Sequence, residues 1–189
     1  MIVGLALFTQ LAAACAPQVS AVTLAAVAGA ESRFESLAIQ DDTAGRSYTP
    51  ATAAAAAAIS NRLIRRHHSV DLGLMQVNSH NLQMLGLTVE GAFDACRSIA
   101  AGGRMLELNY IASHHDGGEQ MALREALSRY NTGNGHRGFT NGYVRFVDDT
   151  ARVTTPALGQ VAAGEAPILA LPQRAAVRQT RHVRRPHRV

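Results

Sequence analysis

Apolar residues at Val19, Val22, Ala26, Val27, Ala30 and Phe34 fall mostly three and four positions apart, which predicts a helix over Ser20–Phe34 with Ser20 as its hydroxyl cap. Glu31 falls inside that stripe, so one turn on either side of it faces the core. After a polar stretch from Gln40 to Ser47, Thr49-Pro50 supplies a cap and a first-turn proline, predicting a second helix through six consecutive alanines to Arg66. His67–Asn78 reads as extended or looped, with Gly73 permitting close backbone approach. A long helix is expected over Gly91–Ser113, its buried face marked by Ala92, Cys96, Ile99, Gly103, Leu106 and Tyr110. Glu119–Tyr130 repeats the helical spacing, Asn131-Thr-Gly-Asn-Gly is a turn, and a last helix is expected near Asn141–Val153. Strand signal is weak throughout, so the domain should be mainly α. Beyond it, Pro156, Gly159, Gly164, Pro167 and Pro172 interrupt any long element.

With 189 residues, 47% hydrophobic and 17% charged, the chain suits one folded domain plus some unstructured length; a fully disordered chain and a multi-span membrane protein are excluded. No apolar run is long enough for an integral span. Charge divides the chain: residues 1–150 carry 11 arginines against 13 acids, whereas 151–189 carry 7 arginines against Glu165 alone. This places a folded domain at 17–152 and a flexible Arg-rich tail at 153–189. Residues 1–16 stand apart, because no charged side chain precedes Glu31. That apolar segment reads as an N-terminal helix or as an export signal lacking the usual leading positive charge. Leu11-Ala-Ala-Ala-Cys15 approximates an acylation site, with the leucine one position too far from the cysteine.

A carboxylate on an apolar helix face favours its neutral form, which is what a general acid needs, so Glu31 is the first candidate for chemistry. The alternative is that it reaches solvent or caps something locally. Glycoside hydrolysis normally calls for a second carboxylate across the bond. Glu35 lies one turn along the same helix and cannot bracket a sugar, while Asp41, Asp42 and Asp71 sit in polar stretches that suggest solvated surface. His67-His68 and His114-His115 are adjacent residues that diverge in direction, and no zinc spacing accompanies them, so no metal site and no cofactor are expected. The tail invites an anionic partner, namely nucleic acid, cell wall, membrane or a protein. It lacks interleaved aromatics, which disfavours nucleic acid.

Glu31-Ser32, Gly73-Leu74-Met75-Gln76 and Tyr130-Asn131, in that order, resemble the lytic transglycosylases of the lysozyme-like superfamily. The resemblance is closest to the transglycosylase component of type IV secretion and conjugation systems. That component's pattern is matched by Cys15-Ala-Pro, Thr23-Leu-Ala-Ala, Glu31-Ser-Arg-Phe, Leu72-Gly-Leu-Met-Gln-Val-Asn-Ser79, Leu85-Gly-Leu-Thr88, Ser128-Arg-Tyr-Asn-Thr-Gly133 and Gly138-Phe-Thr-Asn-Gly-Tyr-Val144. It covers roughly residues 12–150. Arg129 stands where relatives outside this subfamily usually have Ala, and Val77-Asn78-Ser79 replaces the more common apolar-apolar-Pro.

The resemblance implies a goose-type, lysozyme-like helical domain with at most a small β-hairpin. It implies cleavage of the MurNAc–GlcNAc β-1,4 bond of peptidoglycan in the periplasm, with Glu31 as single acid and base and a 1,6-anhydro ring as product. The substrate's C6 hydroxyl replaces water, so no second carboxylate is required. Ser32, Met75, Gln76, Asn78, Tyr130, Asn131 and Tyr143 become the substrate-binding candidates. Tyr130 would hydrogen-bond Glu31, and Met75 and Gln76 would line the sugar cleft; ordinary core packing is the alternative for Met75 and both tyrosines. In an oxidising periplasm Cys15 and Cys96 would form one disulfide; two buried thiols or a lipidated Cys15 are the alternatives. The implied partners are peptidoglycan glycan strands and secretion-system components. A hydrolytic muramidase, a noncatalytic assembly factor and a nucleic-acid-binding module are the competing functions.

Overall fold

Helix α2 (Ala21–Ser32) is surrounded by protein in the computed structural model, which describes residues 1–113, 117–164 and 171. Every residue from Leu24 to Ala30 is buried, so the expected stripe is in fact a helix buried on all sides through its middle, reaching the surface at its beginning, around Val22, and at Glu31. Small side chains make this possible, since Ala25, Ala26, Ala28, Gly29 and Ala30 let neighbouring elements approach closely.

Those neighbours are α1 (Leu5–Cys15), α4 (Ala95–Ile111) and α7 (Tyr143–Ala162). In α1, Phe8 and Ala12 are buried, and the Phe8 ring meets Phe34 edge to face at 5.2 Å between centroids. A disulfide joins Cys15, at the end of α1, to Cys96, at the start of α4. Asp94 caps α4 by accepting the Arg97 N–H, and Ile99, Gly103 and Leu106 of its expected face are buried. α7 runs past the expected end at 153 and through Pro156, with Thr154 and Ala157 buried. Packing of this last stretch offsets the ~3 kcal/mol that a mid-helix proline costs.

Between α2 and α4 lies a sheet where at most a hairpin was expected. Strands β1 (Ile39–Asp41), β2 (Arg46–Tyr48), β3 (Val70–Leu72) and β4 (Val77–Asn78) are all antiparallel in the order β2-β1-β3-β4. Helix α3 (Ala53–Arg65) crosses between β2 and β3, and its cap is Thr52, which accepts the Ala55 N–H, rather than Thr49. Ile39, Val70, Leu72 and Val77 turn one face of the sheet into the core. The opposite face carries Ser47, Gln40, Asp71 and Asn78 in a single cross-strand row.

Helix α5 (Glu119–Thr132) and the one-turn α6 (Arg137–Thr140) lead into α7. Gly133 ends α5 in the left-handed region at φ 68°, so the helix takes in Asn131 and Thr132, which were expected in the turn. The His114-His115 pair and, apart from Leu171, the tail beyond residue 164 lie outside the described residues. No helix among the described residues is long and apolar enough to cross a membrane.

Candidate active site

Glu31 occupies the last turn of α2, where the chain leaves the helix through two consecutive left-handed residues, Arg33 (φ 55°) and Phe34 (φ 63°). It is half-buried rather than sealed in an apolar face. Tyr143, the first residue of α7 and only 1% exposed, donates its phenol proton to Glu31 Oε1 at 2.7 Å. The expected donor, Tyr130, is committed elsewhere. A phenol has one proton, and Tyr130 gives it to the Met75 carbonyl at 2.7 Å.

That contact belongs to a pattern. The turn Gly73–Gln76 presents three consecutive carbonyls, and each accepts from one of the side chains singled out in the sequence. Gln76 Nε2 donates to Gly73 at 2.8 Å, Ser32 Oγ to Leu74 at 2.7 Å, and Tyr130 to Met75 at 2.7 Å. The three separated motifs are thus joined by side-chain donors on one stretch of backbone. Gly73 is required at the start of the turn, because it sits at φ 70° and a Cβ there would stand 1.9 Å from the Ala92 carbonyl oxygen.

These bonds change the expected roles. Met75 is 0% exposed: its side chain packs against Gly102 and its N–H is received by Ser98 Oγ at 3.1 Å. It supports the turn from within the core and does not line a cleft. Gln76 directs its amide N–H groups at the Ala38 and Gly73 carbonyls, so the contact expected of it with an acetamido group falls to Oε1. Tyr130 and Asn131 are buried, and Asn131 Oδ1 accepts from Asn141 Nδ2 at 3.0 Å. Ser98 went unnoticed in the sequence, where one serine in a helix carries no signal.

Asn78 Nδ2 donates to Asp71 Oδ1 and to Ser69 Oγ, each at 2.9 Å, and lies 3.4 Å from Asp42. Asp71 is 1% exposed, contrary to a solvated surface role. Asp41, on the apolar side of the sheet, is also 1% exposed and receives His68 Nδ1 at 2.8 Å. Burial of these acids was hidden by the polar composition around them. Among the described residues no group of His, Cys, Asp or Glu is arranged to hold a metal ion. A cavity of about 530 Å³ opens beside the end of α2, bounded by Val3, Leu5, Ser32, Arg33, Phe34 and Leu171 among others.

Residues 8–152 match the family described as Transglycosylase SLT domain. The chain belongs to that family. Its similarity extends to Protein virB1 of Rhizobium radiobacter, 46% identical over 151 residues that cover 80% of this chain and 63% of that protein. Protein virB1 of Agrobacterium fabrum is 42% identical over 151 residues, covering 80% of this chain and 62% of its own length. Type IV secretion system protein virB1 of Brucella suis is 35% identical over 161 residues, covering 82% and 68%. This SLT domain chain therefore spans about 63% of the length of the first of these relatives. No solved structure matches it. The family expected from the three ordered motifs is the family found, and the helical architecture accords with it.

Proposed function

We propose that the protein is a peptidoglycan lytic transglycosylase that opens the cell wall locally for a type IV secretion or conjugation apparatus. The observation that carries the reading is the Tyr143–Glu31 hydrogen bond at the end of α2, beside the turn whose carbonyls bind Ser32, Gln76 and Tyr130. Family membership and relatives named for type IV secretion support it.

In this reading protonated Glu31 gives its proton to the glycosidic oxygen as the bond from C1 of MurNAc breaks, leaving an oxocarbenium-like centre. The C6 hydroxyl oxygen of the same sugar attacks C1, and its proton returns to the Glu31 carboxylate. The acid is regenerated, water takes no part, and the products are a 1,6-anhydro-MurNAc end and a GlcNAc end. A phenol both donates and accepts, so Tyr143 can stay bonded to Glu31 through both protonation states. Gln76 Oε1 and the polar row of the sheet, with Asn78, are the groups assigned to the sugars. The Cys15–Cys96 disulfide supports an oxidising compartment such as the periplasm.

The test is mass spectrometry of muropeptides released from purified peptidoglycan by the full chain and by Glu31→Gln. Anhydro-MurNAc products from the unaltered protein and none from the variant are expected. Buried Asp71 favours a second reading, a hydrolase with a base across the cleft; reducing MurNAc ends would replace the proposal with it.

A further inference from the structure

Helix α5 contains a partly buried ion pair that the chemistry above does not use. Glu125 is buried, and its Oε1 receives Arg129 Nη2 at 2.7 Å one turn along the helix. Arg129 Nε is buried without a hydrogen-bond partner. Such a pair adds little to stability, because the Glu125 carboxylate is withdrawn from water while Arg129 stays about a quarter exposed, and the orphaned Nε is a further cost. Its geometry suits a different task. A Cβ on Gly135 would stand 2.4 Å from Glu125 Oε1, so the carboxylate lies flush against the backbone of the turn between α5 and α6.

That turn leads to the active site through a short series of hydrogen bonds. Asn134 Oδ1 accepts the N–H groups of His136 at 2.9 Å and Arg137 at 3.2 Å, which starts α6. Ser128 Oγ donates to the Asn134 carbonyl at 2.6 Å and accepts the Gly138 N–H at 2.8 Å. At the far end of α6, Asn141 donates to Asn131 Oδ1 and accepts the Tyr143 N–H, both at 3.0 Å. Tyr143 then donates to Glu31.

We infer that Glu125 and Arg129 are positioning residues for the acid/base: the pair fixes the turn at Gly135, and through α6 and Asn141 it sets where the Tyr143 phenol meets Glu31. This rests on the reading of Glu31 as the acid/base.

The test is steady-state kinetics of the full chain on purified peptidoglycan for Glu125→Gln, Gly135→Ala, Tyr143→Phe and the Glu125→Gln/Tyr143→Phe double variant. Glu125→Gln should lower kcat about tenfold with KM changed less than about twofold. Gly135→Ala keeps both charges but displaces the carboxylate, and should give the same split; it also serves if Glu125→Gln fails to fold. With Tyr143 already replaced by Phe, Glu125→Gln should cost less than about threefold, because the route by which it acts is gone. Arg129→Lys, which keeps the charge, should retain most of the activity. A full tenfold loss in the Phe background, or a rise in KM with kcat unchanged, overturns the inference while leaving the reaction assignment standing. Absence of anhydro product from the unaltered protein overturns the reaction assignment, and the inference with it.

Discussion

Replacing both cysteines by serine should lower the melting temperature by about 9–18 °C. The Cys15–Cys96 bond closes a sequence separation of 81 residues. The chain-entropy relation then gives an unfolded-state entropy loss of about 15 cal/mol/K, or about 4.5 kcal/mol at 25 °C. For a domain of this size each kcal/mol corresponds to roughly 2–4 °C in Tm, from which the predicted shift follows. Both cysteines are half-buried, so a serine hydroxyl at either place adds little further cost. The measurement is circular dichroism melting of the oxidised protein and of Cys15→Ser/Cys96→Ser, with urea titrations of each. The urea midpoint should fall and the m-value rise, since a chain without the cross-link exposes more surface on unfolding. A Tm shift under about 3 °C with an unchanged m-value would refute the reasoning. It would mean that the unfolded chain between α1 and α4 is already constrained, or that packing of α1 does the work assigned to the disulfide.

Tyr143→Phe removes a hydrogen bond to a carboxylate worth about 1.5–3 kcal/mol, so kcat should fall roughly 10- to 100-fold while the fold persists; kinetics alongside a thermal melt test both halves. Ser98→Ala leaves the buried Met75 N–H without its acceptor. It should cost about 1–3 kcal/mol by urea unfolding, and a midpoint equal to the wild type's would contradict this assignment of the bond. Gly73→Ala faces both a left-handed φ and a Cβ 1.9 Å from a backbone oxygen. Soluble expression and circular dichroism should show loss of the folded state or at least about 3 kcal/mol of destabilisation.

Much of this architecture was legible in the sequence wherever helices exceed two turns. α2 was expected over Ser20–Phe34 and occupies Ala21–Ser32, and Ile99, Gly103 and Leu106 mark the buried face of α4 as expected, while Ser98, Ala101 and Gly102 on that face carried no signal. β3 and β4 fall in the stretch read as extended or looped, but β1, β2 and the pairing of all four went unread, because two or three residues cannot display a period of two against a polar background. Thr49-Pro50 mimicked a helix start that Thr52 in fact supplies, and Pro156 looked like a stop because sequence alone does not show that α2 packs along α7. At the site, the ordered motifs identified which residues gather but not their partners. Tyr130 and Tyr143 reach acceptors 55 and 112 residues away, and nothing in local spacing tells one phenol from the other.

The three carbonyls of the Gly73–Gln76 turn have a consequence for how such sequences are interpreted. Ser32, Gln76 and Tyr130 spend their protons on main-chain oxygens, so a search for them detects chiefly a way of folding the chain and, beyond the one acceptor at Gln76 Oε1, says little of what the cleft accepts. Two proteins with the same triple can differ in ligand preference without altering it. Such a difference would be written on the exposed fringe of the sheet and in the loops around it, where substitutions are inexpensive to the scaffold. Redesign of specificity should begin there and leave the signature untouched.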